Sequence, residues 1–139
     1  MKDSNCIFCK IANGEIPSST VYEDQDFRVI LDLGPAAKGH ALILPKEHFK
    51  DVCELDEAVA AKVLPLGAKI GAAMKEALGC AGFNLVQNNG VAAGQTVFHF
   101  HLHLIPRYAD MDNSQILTYP ASGIDAETIK ELTESLKVE

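Results

Sequence analysis

The sequence predicts an α+β protein built on a mainly antiparallel five-stranded sheet, with one long helix and short helices toward the ends. Three observations predict it. Strand-like runs come in closely spaced pairs that short turns can join, one long stretch carries a 3.6-residue apolar period, and helices and strands do not alternate as a parallel α/β sheet requires. The 139 residues, 47% hydrophobic and 22% charged, suit one globular domain with an ordinary core.

Taken in order, Ile7, Phe8 and Ile11 recur at helical spacing and Gly14 follows as a stop, which predicts a short helix over residues 4–13. Pro17 and the Ser18-Ser19 pair end that pattern. Val21-Tyr22-Glu23 and residues 27–32 are β-rich runs separated by Asp24-Gln25-Asp26, and residues 40–44 form a third strand after the Gly34-Pro35 turn. The long helix spans residues 56–78. Val59, Val63, Leu66, Ile70, Met74 and Ala77 mark its buried face, and Pro65 predicts a kink near residues 61–63. Residues 82–89 and 97–105 are the last two strands, joined by a Gly-rich loop over residues 90–94. A final amphipathic helix over residues 126–137, capped by Asp125, is expected to bury Ile129, Leu132 and Leu136. The core spans residues 6–108, and residues 109–139 form a tail.

Composition narrows the function. A net charge of −7 argues against a nucleic-acid polymer as partner, because polyanion binding relies on many Lys and Arg displacing counterions. Residues 1–22 lack the apolar run of a signal peptide, so a cytoplasmic protein is expected. Residues 77–106 hold no Asp, Glu, Lys or Arg, yet they contain four Gly, three Asn, two Gln and three His. Those polar groups would lack partners in lipid, so the stretch reads as buried protein wall and no membrane partner is expected. In a reducing compartment the four cysteines, Cys6, Cys9, Cys53 and Cys80, read as thiols or metal ligands.

All five histidines fall into two groups, His40 with His48 and the row His99, His101, His103. On a strand over residues 97–105 the three rings share one face, while Phe100, Leu102 and Leu104 enter the core on the other. Such a row suits a metal centre, a nucleophilic imidazole with supporting neighbours, or a pH-sensing cluster. Just upstream, Asn88 to Thr96 form a loop whose Gly90 and Gly94 admit close backbone approach and whose Gln95 and Thr96 can donate to oxygens. A loop of this kind binds phosphate without Lys or Arg. Gly34 to Gly39 copies the Gly-x4-Gly spacing of a Walker loop, but the Lys-Ser/Thr that should follow is absent, so no P-loop is read.

His99-Phe100-His101-Leu102-His103-Leu104-Ile105 resembles the signature of the histidine triad (HIT) family of nucleotide hydrolases and transferases. The resemblance extends, in order, through Ile7-Phe8-Cys9-Lys10-Ile11, Asp32-Leu33-Gly34-Pro35, Gly39 to Lys46 and Gly94-Gln95-Thr96-Val97. It implies a homodimer joined through the long helix and a neighbouring strand. It also implies cleavage of nucleoside phosphoramidates or dinucleoside polyphosphates at the α-phosphate, with His101 as the nucleophile that forms a nucleotidyl-histidine. His103 and His40 would orient His101, and His99 would sit beside the phosphate or leaving group. Gly94, Gln95, Thr96 and Asn88 would lie at the phosphate, Asp32 at the ribose, and Ile7, Phe8, Ile11, Phe27 and Leu33 at the base of a purine nucleotide carrying an AMP or GMP moiety. Some bacterial-type members combine a Cys-x-x-Cys with two histidines in a structural zinc site; here that set is Cys6, Cys9, His48 and His99. Other readings of the same residues are a nucleotide-binding scaffold with vestigial catalysis and a zinc hydrolase with the ion on the triad. The tail after Tyr108 carries no family signature.

Overall fold

The computed structural model describes residues 2–112, 116 and 121–138. Its elements are α1 (Ile7–Ala12), β1 (Thr20–Glu23), β2 (Phe27–Leu31), β3 (Ala41–Pro45), α2 (Glu57–Leu78), β4 (Gly82–Val86), a 3-10 turn (Val91–Ala93), β5 (Leu102–Arg107) and α3 (Ala126–Ser135). The strands pair antiparallel throughout, in the order β1-β2-β3-β5-β4. This is the predicted α+β sheet. Because α2 carries the chain across from β3 to β4, the last strand enters between those two, and His103 lies opposite Leu42.

Side-chain alternation gives the sheet two working faces. Phe27, Val29, Ala41, Ile43, Leu102 and Leu104 pack under the buried stripe Val63, Leu66, Ile70 and Met74 of α2. On the opposite face Ile30, Leu42 and Leu44 meet Ala12, with Phe8 and Ile11 of α1 packed against them. Two side-chain bonds to main-chain carbonyls hold α1 there, Arg28 Nε to Ala12 O at 3.1 Å and Asn13 Nδ2 to Lys46 O at 2.8 Å. The long helix begins where Asp56 Oδ1 accepts from the N–H groups of Ala58 and Val59, and ends at Gly79 in the left-handed region. It continues through Pro65 without a break; Pro65 and Ala61, whose carbonyl would lose its bond, are both exposed.

Three boundaries differ from expectation, each for a tertiary reason. The fifth strand starts at Leu102 rather than residue 97, because the stretch before it bonds to a loop: Phe100 N–H donates to Phe49 O at 2.6 Å. The fourth strand ends at Val86, where Gln87 and Asn89 turn to bond each other and Asn89 Oδ1 accepts from Val52 N–H. The tail helix forms with Asp125 as its cap, but Ile129, Leu132 and Leu136 are exposed instead of buried. Both faces of the sheet are already covered by α1 and α2. Among the described residues no helix is long and apolar enough to cross a membrane.

Two glycines of α2 face the sheet at different clearances. A Cβ at Gly71 would fall onto the Phe83 ring, whereas one at Gly67 would meet Leu102 and Leu85 at an ordinary 3.7 Å. Gly71→Ala is therefore expected to destabilise the fold by about 1–3 kcal/mol through overpacking. Gly67→Ala is expected to be neutral or stabilising, since Ala favours helix by about 1 kcal/mol. Urea denaturation of the two variants checks the contrast.

Candidate active site

His40 follows Gly39, which has φ +94° and lies so near Leu78 and Pro106 that a side chain there would collide with Leu78. That close turn aims the buried His40 ring along the sheet. Its Nδ1 accepts from Ala36 N–H at 3.0 Å, so the neutral ring carries its proton on Nε2. Nε2 lies 2.9 Å from His103 Nδ1 and 3.7 Å from Asp32 Oδ2. His103 Nδ1 is then the acceptor, and its own proton sits on Nε2. His101 is set from the other side: Nδ1 lies 2.7 Å from the carbonyl of His99 and must donate to it, which leaves Nε2 with a bare lone pair. The His101 and His103 rings sit 5.0 Å apart, and Phe8 stands edge-on to His101 at 5.0 Å.

Burial keeps these rings neutral. It pushes His103 down to about 4, with His101 and His40 adding to the effect. Burial also lowers His101, against the opposing pull of the His99 carbonyl and the Asp32 charge, and lowers His40 against Asp32. Near pH 7 the arrangement presents one unprotonated nitrogen beside one N–H donor. That pairing suits nucleophilic attack on an electrophile whose oxygens need a hydrogen bond.

Both rings open on a cleft of about 300 Å³. Phe8, Ile11, Ile30 and Leu42 supply its apolar walls, with Asp32, Leu33, Thr96 and Val97 around them. Asp32 Oδ1 accepts from Gly34 N–H at 2.8 Å, which fixes the carboxylate at the end of β2. Leu33, 93% exposed, is on the rim. Ile30 and Leu42 were missed by sequence reasoning, although the alternation of β2 and β3 carries the signal for both.

Several expected site residues stand elsewhere. Phe27, 1% exposed, belongs to the α2 core, because it shares the strand face of Val29. Ile7, 52% exposed, turns to a separate cleft beside His48 and Lys50. Gln95 has its amide spent on the loop: Oε1 accepts from Gly90 N–H at 2.8 Å, while Nε2 donates to Lys50 O and Val97 O. It shapes the phosphate loop rather than offering a donor to a ligand. Gly94 takes φ +92°, with the Asn88 side-chain nitrogen beside it.

His99 leaves the triad altogether. Its Nε2 donates to Pro45 O at 2.9 Å, and its Nδ1 faces Cys6 Sγ at 3.3 Å and Cys9 Sγ at 3.5 Å. His48 Nδ1 lies 3.4 Å from Cys9 Sγ, and the four ligand atoms all fall within 4.8 Å of one another. Tetrahedral zinc with two sulfurs and two ring nitrogens puts adjacent S and N atoms ~3.6 Å apart, so the donor set and its spacing fit that ion. The Pro45 carbonyl is the outer partner that a ligating histidine usually has. Asp32, His40 and His103 also lie together. There the 2.9 Å between the two rings is a hydrogen bond, shorter than the ~3.3 Å separating two nitrogens on one tetrahedral ion.

Fold and site together define a class: an antiparallel α+β protein whose linked imidazoles line the floor of a half-apolar cleft. Residues 13–110 match the HIT domain, and the chain belongs to the HIT family. Protein hit of Bacillus subtilis is 44% identical over 108 residues, which cover 78% of this chain and 74% of that protein. The adenosine 5'-monophosphoramidase hnt1 of Schizosaccharomyces pombe is 39% identical over 132 residues, covering 95% and 96%. A crystal structure of a HIT family protein from Bacillus anthracis superposes with a TM-score of 0.82 at 41% identity, covering 95% of this chain and 94% of that one.

The buried neutral His103 links stability to acid. Its ring takes up protons near 6.5 when unfolded and near 4 when folded, so its contribution is complete above pH 6.5 and is lost as the pH falls toward 4. Urea midpoints are expected to drop between pH 7 and pH 5, and His103→Asn is expected to flatten that drop.

Proposed function

We propose that this protein is a nucleotide hydrolase that cleaves nucleoside phosphoramidates or dinucleoside polyphosphates at the α-phosphate through a covalent nucleotidyl-His101. The observation that carries the reading is the His99 carbonyl on His101 Nδ1, which leaves the Nε2 lone pair at the cleft. A purine base lies between Phe8, Ile11, Ile30 and Leu42, and the free oxygen of Asp32 accepts from a ribose hydroxyl. In the first step Nε2 bonds to phosphorus, the bond from phosphorus to the leaving amine or phosphate breaks, and the electron pair departs with that group together with a proton. Water then attacks phosphorus, the Nε2–P bond breaks, and the nucleoside monophosphate leaves. Throughout, Nδ1–H stays on the carbonyl, so the ring can carry positive charge while bonded. His103 Nε2–H and the Thr96 hydroxyl hold the non-bridging oxygens, and His40 fixes the His103 tautomer. The activity named for the fission yeast relative supports an adenosine nucleotide as one substrate.

We further propose that Cys6, Cys9, His48 and His99 hold a Zn2+ that ties α1 to the segment entering β5, outside the reaction path. Free thiols at all four cysteines fit a cytoplasmic protein. A homodimer is supported by the outer edge of β4, which pairs with no strand among the described residues, and by the exposed Leu64 of α2 and Leu85 of β4 beside it. Sedimentation at micromolar concentration is expected to show a dimer; a monomer would overturn that part.

His101→Asn keeps the ring's size and a carbonyl-facing donor but loses the nucleophile. Turnover of an adenosine phosphoramidate is expected to fall roughly 10⁴-fold or more, and the adenylyl adduct seen by intact mass in the wild-type protein should vanish. Wild-type turnover in that variant would refute the mechanism.

A further inference from the structure

We propose that Cys6 and Cys9 form a redox modification site that controls the nucleophile: a peroxide oxidises the pair to a disulfide, and His101 loses its fixed tautomer. The catalytic consequence rests on the reading of His101 given above; the structural coupling does not.

Pairing of the two sulfurs is within reach. Cys6 caps α1, its Sγ accepts from Cys9 N–H at 3.3 Å, and both thiols sit in the cluster whose ligand atoms lie within 4.8 Å of one another. A disulfide closes at about 2.05 Å between sulfurs, so one turn of a short helix must tighten and no distant segment has to move. Both thiols also border solvent clefts. Cys6 opens on one of about 580 Å³ beside His48 and Lys50, and Cys9 on one of about 170 Å³ beside Lys2 and Asp3. A peroxide can enter either.

His99 couples the thiols to the catalytic ring. Its Nδ1 faces both sulfurs, while its carbonyl holds His101 Nδ1 at 2.7 Å. Phe8, on the same helical turn as the two cysteines, stands edge-on to His99 at 6.1 Å and to His101 at 5.0 Å. Drawing Cys6 and Cys9 together takes the sulfurs from His99 and His48 and shifts the turn that carries Phe8. His99 is then released on its ring side, and the carbonyl that fixes the His101 proton moves with it. His99 and Phe8 thus act as positioning residues.

The chemistry balances. One thiol attacks a peroxide oxygen, the O–O bond breaks, and a sulfenic acid and water form. The second thiol displaces the sulfenic oxygen as a second water. Two electrons pass from the sulfurs to the peroxide, both thiol protons end in water, and any metal ion held by the pair is released.

The test uses the full chain carrying Cys53→Ser, which removes the exposed thiol, loaded with one Zn2+ and then treated with hydrogen peroxide. Peptide mapping locates the disulfide, and a chromogenic chelator counts released zinc. Nitrogen-15 shifts report the His101 tautomer, and a single-turnover assay with an adenosine phosphoramidate gives the rate of adduct formation. The expected result is a Cys6–Cys9 disulfide, a His101 signal moved from the Nδ1-protonated form toward a mixture, and adduct formation at least tenfold slower. Dithiothreitol with Zn2+ should restore all three. A His101 signal unmoved in fully oxidised protein, or no bond between Cys6 and Cys9, overturns the proposal. Cys9→Ser, which cannot close the bridge, must show no peroxide response at His101; a response there overturns it as well. If the reduced protein makes no adduct while the tautomer still responds, the nucleophile assignment fails and the coupling stands.

Discussion

One hydrogen bond organises the site, the donation from His101 Nδ1–H to the His99 carbonyl at 2.7 Å. An imidazole free to exchange tautomers would offer its lone pair on the wrong nitrogen part of the time. A main-chain carbonyl cannot act as a donor, so it settles the question without any charge. The same economy appears at the other end of the row, where Ala36 N–H settles His40 and, through it, His103. Neutral rings with assigned roles result, in a protein whose net charge of −7 would not by itself attract a phosphate.

The sheet makes that bond possible. Alternation along β5 sends Leu102 and Leu104 under α2 and leaves His103 on the α1 face, while β3 does the same with Ala41 and Ile43 against Leu42 and Leu44. A slip of one residue would exchange the two sets and put imidazoles into the oily side. The apolar packing under α2 therefore serves the chemistry as a register lock. Just before β5, the bond from Phe100 N–H to Phe49 O holds the chain so that His99 turns to the sulfurs and His101 to the cleft.

Much of this was legible in the residues themselves. The 3.6-residue stripe of α2 and the β-rich runs mark every element of the sheet layer, and the quoted HIT segments bring His40, His101, His103 and Asp32 to one cleft. What escaped reading has physical reasons. Phe8 and Phe27 are alike as residues, and only the strand phase shared with Val29 sends Phe27 to the other face. Gln95 looks like a ligand donor until the loop closes and consumes its amide. The partners that assign the tautomers are backbone groups, present at every position and so invisible in any motif. The start of β5 depends on a bond to Phe49, fifty residues earlier in the chain.

The strand order β1-β2-β3-β5-β4 means that the last strand to be made is an inner one. During translation β3 and β4 must wait, with a gap between them, until Arg107 has left the ribosome. The nascent sheet has two raw inner edges until then, and the catalytic ring arrives with the piece that seals them. Completion of the barrier against aggregation and acquisition of the reactive nitrogen are thus a single event in the life of the chain.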